Sequence, residues 1–474
     1  MPFFSPGGRE WVQARTGTDI VFPGSLSKMP RLNYLVDKSP ITMPDRAVLD
    51  NRLTMFKSSM FRQLFPLLEA EIFRTTIYMA YSQSHSPMPL NIMSAKMSVF
   101  AFMAYTSSLF PGAKEAENGD FYALEAQRLL SDLVHHPATI DGLQTALLLI
   151  LYRQSTFGDL PSVDALISTA SRFVYSLGGH ISPGSLHNPP SRHEWHCRNL
   201  FWICHNIDRK LCLRTGRPPC INDSCCDLSL PEHYIDSIKR ELPPSPGYSE
   251  PIFLIDIRLS LIESHIFVEL YAPPARGKSD AELLRTIRNL DTMVEEWKVL
   301  ALKDDRETLP FEQKQAHDSP DLQTAVLNMQ YLYSVATIHQ ATTGCRAWIE
   351  DQGCTMEGVN SSLLISVEAS RQLLRLINTL PASSLEGGFW FSLFFFLSAG
   401  VVLFCNILNS PDSPNTQGDI LILDALAAHI QEGSGRRASP QAQPKIDNAG
   451  QFAAELGKLA RCAVRKAQMY RQSY

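Results

Sequence analysis

The sequence predicts an all-α fold, a large multi-helix body with no significant β-sheet. Apolar residues recur at spacings of three and four along most of the chain, which is the period of an amphipathic helix. Strand signals are scarce, because no sustained alternation of apolar and polar residues is bounded by hairpin turns. With 45% hydrophobic residues among 474, the chain can bury a sizeable core, which excludes wholesale disorder.

The first 50 residues differ from those that follow. Residues 1–50 are rich in proline and glycine, which interrupt any helical period, so we expect a weakly structured tail there. Helical periodicity starts near Arg52 and runs through residues 51–240, the N-terminal helical half. The helices predicted in this half after Pro66 are Glu69–Tyr81, Asn91–Phe110, Phe121–Leu133, Ile140–Tyr152, Ser162–Leu177 and His193–Leu213.

A second helical half is predicted over residues 251–474. The proline-rich stretch Glu241–Glu250 lacks periodicity and predicts the boundary between the halves. Residues 411–418 and 432–447 are rich in Pro, Ser, Gly and Gln, so we expect mobile loops there. The helices predicted in this half are Ile252–Tyr271, Asp280–Leu302, Asp321–Glu350, Ser361–Leu380, Phe389–Leu408 and Ala449–Tyr470.

The balance of basic and acidic residues argues against a protein that coats nucleic acid. The 43 basic and 48 acidic residues give a net charge of −5. A protein that coats nucleic acid needs clustered Lys and Arg to neutralise phosphates, so the sequence predicts no DNA-binding residues. The first ten residues contain no apolar stretch typical of a signal peptide. The ten cysteines form no regular pattern, so we expect reduced thiols in an intracellular compartment.

One predicted helix has the length of a membrane span. Phe389–Leu408 consists almost entirely of apolar residues, and about 20 such residues cross a bilayer. No Lys or Arg lies between Arg375 and Arg436, so the positively charged flank typical of a membrane helix is missing on both sides. These flanks favour a helix buried in a large α-domain, with a membrane anchor as the alternative.

Residue types that bind metals or perform catalysis occur without the required spacing. The metal candidates are His193, His196, Cys197, Cys220, Cys225 and Cys226. They do not form the paired spacings of a structural zinc site, so we predict a helix end with core cysteines and no metal ligand, with a site at His193 and Cys197 as the alternative. Asp304-Asp305, the one adjacent Asp pair, lies in a charged loop. Without a nucleophile elbow or a phosphate-binding loop, we predict no catalytic residue, and a helical enzyme of unknown chemistry remains an alternative.

The most informative stretch is the end of the helix His193–Leu213 and the chain after it. Asp208 and Arg209 place charge on an otherwise apolar helix. Gly216 is expected to end the helix, and Pro218 and Pro219 force an extended exit. We expect Arg217 to bind the last helix carbonyls or Asp208. The favoured interpretation is a buried or half-buried ion pair that fixes the turn.

These residues carry a resemblance. The aromatic-rich helix and the residues after it resemble the central signature of the fungal-specific transcription factor domain. Three earlier stretches, Phe61–Tyr81, Asp141–Gly158 and Ala170–His180, resemble parts of this domain in the same order, and Phe389–Leu408 resembles its C-terminal half. The signature residues are Asp208, Arg209, Gly216, Arg217, Pro218, Pro219, Ile221, Asp223, Asp227, Leu230 and Pro231.

The resemblance implies an all-α regulatory domain of a nuclear transcription regulator. Such domains restrain or modulate activation, sometimes in response to metabolites, and support dimerisation. We therefore expect protein partners or a homodimer, a small-molecule effector and no membrane, with a candidate effector pocket between the 193–213 and 389–408 helices. Family members usually begin with a zinc module, whereas the first cysteine here is Cys197. Zinc is therefore not expected as a cofactor, and DNA is expected only indirectly or through a missing module.

Overall fold

The computed structural model describes eleven segments of the chain. The secondary structure assigned in these segments is helical, and no strand is assigned in them. The all-α prediction is confirmed. The described segments are residues 6–18, 42–83, 88–110, 119–157, 160–183, 190–245, 248–301, 322–350, 357–379, 389–437 and 443–472.

The α-helices are numbered along the chain. They are α1 Pro6–Thr16, α2 Arg46–Lys57, α3 Met60–Leu64, α4 Ala70–Ala80, α5 Leu90–Leu109, α6 Gly119–Leu133, α7 Ile140–Phe157, α8 Leu160–Ser176, α9 Arg192–Thr215, α10 Glu232–Glu241, α11 Ile252–Ile266, α12 Asp280–Ala301, α13 Leu322–Gln340, α14 Arg346–Glu350, α15 Glu357–Arg375, α16 Phe389–Asn409, α17 Thr416–Arg437 and α18 Gln443–Gln472. A π-helical turn, Phe267–Tyr271, follows α11 directly.

The chain forms two compact units. We call residues 37–277 and 292–314 the central unit, and residues 1–36, 278–291 and 315–474 the terminal unit. This division differs from the predicted halves, because the chain on both sides of the proline-rich stretch 241–250 belongs to the central unit. Helix α11, which follows that stretch, packs against α9. A loss of periodicity therefore marks a loop here and not the end of a packing unit.

The core of the central unit is built around α5. This helix is buried on every face from Met97 to Ser107, and α4, α6 and α7 pack against it. Its alanine and serine residues are small, which allows neighbouring helices to approach closely. The ring of Phe102 meets the edges of Phe56 at 5.8 Å and Phe73 at 5.4 Å, a geometry that aromatic pairs prefer.

The terminal unit is a bundle in which α15 packs on α13 and α16, and α18 packs on α16 and α17. A buried ion pair joins α15 to α17: Arg371 Nε lies 2.7 Å from Asp419 Oδ1, and Nη2 lies 3.0 Å from Oδ2. This two-point contact fixes the orientation of both helices. Apolar packing adds Tyr333, whose ring lies 5.5 Å from Phe394 and 5.2 Å from Phe395.

The structure corrects the prediction for the first 50 residues. Helix α1 lies in the segment expected to be weakly structured, and α2 begins at Arg46 behind the N-cap Asp45. Pro6 occupies the first helical position, where its fixed φ is favourable. Val12 is buried, and Lys466 of α18 donates to the carbonyl of Ala14 at 2.7 Å. Tertiary contacts thus outweigh the glycine content, while residues 1–5 and 19–41 lie outside the described residues.

The two predicted loops near the C-terminus are shorter than expected. Residues 411–415 form turns in which Ser413 and Thr416 donate backbone hydrogen bonds to Ser410 and Ser413, and α17 starts at Thr416. Of residues 432–447, those up to Arg437 continue α17 and those from Gln443 begin α18. Residues 438–442 lie outside the described residues.

Helix α16 contains the apolar stretch discussed above. Ser392–Asn409 is long and apolar enough to cross a membrane, and 61% of it is buried within the structure. The helix packs against α13, α15, α17 and α18. Core helices of soluble proteins have the same length and composition, so the preference for a buried helix over a membrane anchor stays a prediction.

Candidate functional site

Helix α9 carries the signature residues, and its ends are well defined. A capping box opens it: the Ser191 side chain accepts from the backbone of Glu194, whose side chain accepts from the backbone of Ser191. Gly216 ends it in the left-handed region at φ +69, a conformation that glycine adopts without a Cβ clash. Every residue from His196 to Arg209 is buried, so polar groups on this helix need internal partners.

Asp208 holds the chain that returns after α9. Its Oδ1 accepts from the backbone N–H of Cys220 at 3.0 Å, and Oδ2 accepts from that of Ile221 at 2.9 Å. Burial raises the pKa of the carboxyl, and the charge of Arg209 and the two backbone donors oppose that rise. The two prolines before Cys220 direct the chain away from helical geometry, and Asp208 then satisfies backbone donors that the extended path leaves free.

Arg209, the next residue of α9, binds the same return segment. Its Nη2 donates to the carbonyl of Ile221 and lies 3.1 Å from Asp223 Oδ1 and 3.6 Å from Asp208 Oδ2. The guanidinium is almost fully buried. A buried cation between two carboxylates and a carbonyl is electrostatically compensated, whereas the same cation without them would be costly.

His205 links Asp223 to helix α11. Its Nε2 lies 3.0 Å from Asp223 Oδ1 and its Nδ1 lies 3.1 Å from Ser260 Oγ, and Ser264 also donates to Asp223. Burial lowers the pKa of His205. Burial alone would raise the pKa of Asp223, but hydrogen bonds from His205 and Ser264 and the charge of Arg209 hold it at about 2. Arg209 Nε also lies 3.3 Å from His205 Nε2, so this ring nitrogen contacts both a carboxylate and a guanidinium.

A second set of polar contacts joins α9 to α11 at Asp256, one turn before Ser260. Lys210 Nζ lies 2.6 Å from Asp256 Oδ1, and Asn206 donates to the other carboxylate oxygen. Asp256 is 1% exposed, so this is a buried, charge-assisted contact. Glu263 lies further along α11 and is buried as well, and burial raises the pKa of its carboxyl to about 7. We call the side chains of α9, the 220–223 segment and α11 described so far the buried polar network.

Arg217 does not join this network. The expected pairing with Asp208 is wrong: Arg217 Nη1 lies 2.5 Å from Asp164 Oδ2, and both side chains are largely exposed. Asp208 is saturated by two backbone donors and by Arg209, and the left-handed Gly216 turns the chain away from the helix. The buried ion pair at this turn is therefore made by Arg209, and that of Arg217 is a surface contact.

The structure brings together no metal site from the candidate ligands. The described part of the chain contains no group of three or more His, Cys, Asp or Glu side chains that could hold a metal ion. Burial lowers the pKa of His196 to about 3 and raises that of Cys197 to about 11, as expected for core side chains at a helix end. Cys226 donates to the carbonyl of Asn222 at 3.3 Å. Asp304 and Asp305 lie outside the described residues.

The comparisons with known proteins now identify the family. The model of the fungal-specific transcription factor domain matches residues 54–299, which includes all of the buried polar network. The chain belongs to this family. The fungal-specific transcription factor domain is a transcription factor family and not an enzyme family, and its match confirms the resemblance seen in the signature residues.

Curated relatives are transcription regulators. An ABC-transporter-regulating transcription factor of Aspergillus fumigatus is 27% identical over 99% of this chain and 54% of its own length. One with the same name from Aspergillus oryzae is 28% identical over 89% of the chain and 49% of its own length. The fusaridione A cluster transcription factor of Fusarium heterosporum is 24% identical over 72% of the chain and 64% of its own length. The chain thus spans about half the length of the first two relatives, and no solved structure matches it significantly.

Sequence reasoning found the signature but missed most of its partners. Asp208, Arg209 and Asp223 were among the family-like residues, whereas the contributions of α11 were not foreseen. A signal was present, because polar residues recur one turn apart within both apolar helices. These residues are His205, Asn206, Arg209 and Lys210 on α9, and Asp256, Ser260, Glu263 and Ser264 on α11. Facing polar stripes of this kind indicate buried pairing between two helices.

Proposed function

We propose that this chain is the regulatory domain of a nuclear transcription regulator and that it modulates transcription through protein partners, a second copy of itself or a small-molecule effector. The observation that carries the proposal is the match of the fungal-specific transcription factor domain to residues 54–299, supported by relatives that are transcription factors. The proposed mechanism is a population shift: an effector or partner that binds one arrangement of the helical body more tightly favours that arrangement.

Direct DNA binding is not part of the proposal. The chain has a net charge of −5, and phosphate neutralisation needs clustered cations. DNA contact is assigned to a partner or to a separate zinc-containing module. Because two relatives are named as regulating ABC transporters, we propose genes for such transporters as the first targets to examine.

A catalytic role is disfavoured by the burial of the groups that could perform it. Ser260 and His205 are both 0% exposed, so a substrate could not reach the hydroxyl. The hydroxyl is also within 2.8 Å of the carbonyl of Ile257 in its own helix. This geometry supports a structural use of the Ser, His and Asp side chains.

The proposal is tested by fusing the whole chain to an unrelated DNA-binding domain in a fungal host and measuring a reporter with the matching operator. We expect the fusion to change reporter output and a fluorescently tagged chain to enter the nucleus. A fusion with no effect on the reporter would contradict regulatory activity. In gel-shift assays the isolated chain should bind DNA only weakly and in a salt-sensitive way, and tight, sequence-specific binding would contradict the indirect role.

A further inference from the structure

The central unit carries an open cleft of about 410 Å³ that the buried polar network does not use. It lies where one face of α4 meets the first turns of α5, α7 and α9. Its lining residues are Glu71, Ile72, Thr75, Thr76, Met79, Asn91, Ser94, Thr139, Ile140, Asp141, Arg192 and His193. Binding sites for small molecules are concave, mostly apolar and equipped with a few polar groups. Most of the lining residues of this cleft are polar, but the surface that they expose to it is mainly apolar.

The hydroxyl groups in the cleft are already engaged. Thr76 donates to Asp141 Oδ1 at 2.7 Å, and Ser94 and Thr139 share a short hydrogen bond. Thr75 donates to the carbonyl of Glu71 at 3.2 Å. Asp141 accepts only this one side-chain hydrogen bond among the described contacts, so its second carboxylate oxygen is available to a ligand. Burial raises the pKa of Asp141, which means that its ionised form would gain from a cationic neighbour.

Three helix N-termini face the cleft, those of α5, α7 and α9, but they do not make it a site for anions. In α5, the backbone N–H of Ile92 donates to Asn91 Oδ1 at 3.0 Å. The first turn of α9 is satisfied by its capping box. In α7, Gly142 donates its backbone N–H to Thr139 Oγ1 at 3.0 Å, and Asp141 supplies a negative charge to the same turn. The donors that would bind an anion are therefore partly occupied by the protein itself.

The charges at the rim also favour a cation. Arg192 Nη1 lies 3.1 Å from Glu69 Oε1, so its charge is shared with a carboxylate outside the cleft. Glu71 at the rim interacts with Arg74 on the same helix, and His193 is exposed there. Among the charged carboxylate and guanidinium groups that line the cleft, two carboxylates face one guanidinium.

We propose that this cleft binds a small organic cation, a protonated amine attached to an apolar body. The ammonium group bonds to the second carboxylate oxygen of Asp141, and the apolar body lies against Ile72, Met79 and Ile140. Such a charge-assisted hydrogen bond is stronger than one between neutral groups. This inference gives a site and a ligand class to the effector control proposed above, on which its regulatory meaning rests.

The test measures binding to the full chain by saturation-transfer NMR and calorimetry with three probes of one shape: 2-phenylethylamine, 2-phenylethanol and phenylacetate. Near neutral pH we expect the amine to bind most tightly and the carboxylate least. Asp141→Asn keeps the acceptor for Thr76 and removes the charge, so it should weaken the amine about tenfold. Phenylacetate binding more tightly than the amine would overturn the ligand class.

A second variant guards against an effect of Asp141 on folding. Thr75→Trp places a large side chain in the cleft from an exposed position of α4, and it should abolish binding of the amine. Thr54→Trp is its matched control, because Thr54 is an exposed helical threonine that also donates to the carbonyl four residues back. Amine binding that survives Thr75→Trp, or is absent from the unmodified chain, would overturn the site.

The binding assay tests the site, whereas the reporter assay tests the proposed function, so a negative result in one does not decide the other. If the amine binds and Thr75→Trp prevents it, the site is established whatever the reporter shows. If the amine then leaves the output of the reporter fusion unchanged, effector control through this cleft is contradicted while the site stands. If the fusion has no regulatory activity at all, the proposed function is contradicted.

Discussion

The two units of the chain each contain a Ser, a His and an Asp joined by hydrogen bonds, and comparing them shows what the buried polar groups do. The trios are Ser260, His205 and Asp223 in the central unit, and Ser362, His339 and Asp291 in the terminal unit. In both, the serine contacts Nδ1 and the aspartate contacts Nε2. In serine hydrolases the assignment is the reverse, with the serine at Nε2. Both trios therefore connect separate elements as structural contacts.

The trios differ in what surrounds them. In the central unit, Asp223 also binds Arg209 and Ser264, and the same guanidinium reaches Asp208. The central trio is thus one part of a network that includes the backbone after α9. In the terminal unit, the trio joins α12, α13 and α15, with His339 3.1 Å from Asp291 and 2.7 Å from Ser362. A larger buried network has more to lose when one member is removed.

Among the substitutions considered, Asp208→Ala is expected to cause the largest loss of stability. Removing the carboxylate leaves the N–H groups of Cys220 and Ile221 and part of the charge of Arg209 without partners. The expected cost is about 3–5 kcal/mol of unfolding free energy, measured as the shift of the urea or thermal transition of the full chain. Asp164→Ala, which removes an exposed partner of Arg217, is the control. Equal shifts for the two variants would contradict the assigned role of Asp208.

Glu263→Gln is expected to raise the free energy of unfolding by an amount that depends on pH. The pKa of Glu263 is about 7 in the folded chain against about 4.5 in the unfolded chain, so the unmodified protein loses stability as pH rises through this interval. Gln removes the cost of ionising a buried carboxyl and should stabilise the chain above about pH 7 by about 2–3 kcal/mol. The gain should shrink as pH falls toward 4.5, and thermal melts at several pH values measure it. A gain independent of pH would contradict this origin.

The direct comparison of the trios is His205→Gln against His339→Gln. Both substitutions break one buried and one part-buried hydrogen bond, and each is expected to cost about 1–3 kcal/mol. His205→Gln should cost more, because it also disturbs the contact with Arg209. Thermal unfolding of both variants provides the measurement. A larger loss for His339→Gln would reverse the ranking of the two units.

The smallest effect is expected for Arg217→Ala. The contact of Arg217 with Asp164 is exposed, and such pairs contribute about 0–1 kcal/mol. The same melts should show a shift below about 1 kcal/mol that decreases at high salt. A shift as large as that of Asp208→Ala would restore the buried role first expected for Arg217.

The sequence predicts where the helices lie better than it predicts which side chains of different helices contact each other. The helix predicted at His193–Leu213 is observed as Arg192–Thr215 and ends at Gly216, because helix ends are encoded locally by caps and glycine. The contact between Lys210 and Asp256 spans 46 residues, and that between Arg217 and Asp164 spans 53. Such choices depend on how the helices pack, which a local pattern does not specify. The predicted effector pocket between the 193–213 and 389–408 helices stays a prediction.

The cleft on the central unit also depends on helix packing that a local sequence pattern does not specify. Asp141 is the second residue of the predicted helix Ile140–Tyr152, and it lies in the first turn of α7. Its contact with Thr76 and its place beside the first turn of α9 arise from packing.

The most direct test of the account is backbone hydrogen exchange at Cys220 and Ile221. If Asp208 pins this segment to α9, both amides should exchange slowly in the unmodified chain and in Arg217→Ala. In Asp208→Asn, which offers at most one acceptor to two donors, protection should be lost at one or both positions while α5 stays protected. Rapid exchange at both amides in the unmodified chain, or full protection in Asp208→Asn, would contradict the claim that the signature residues hold the fold of this domain.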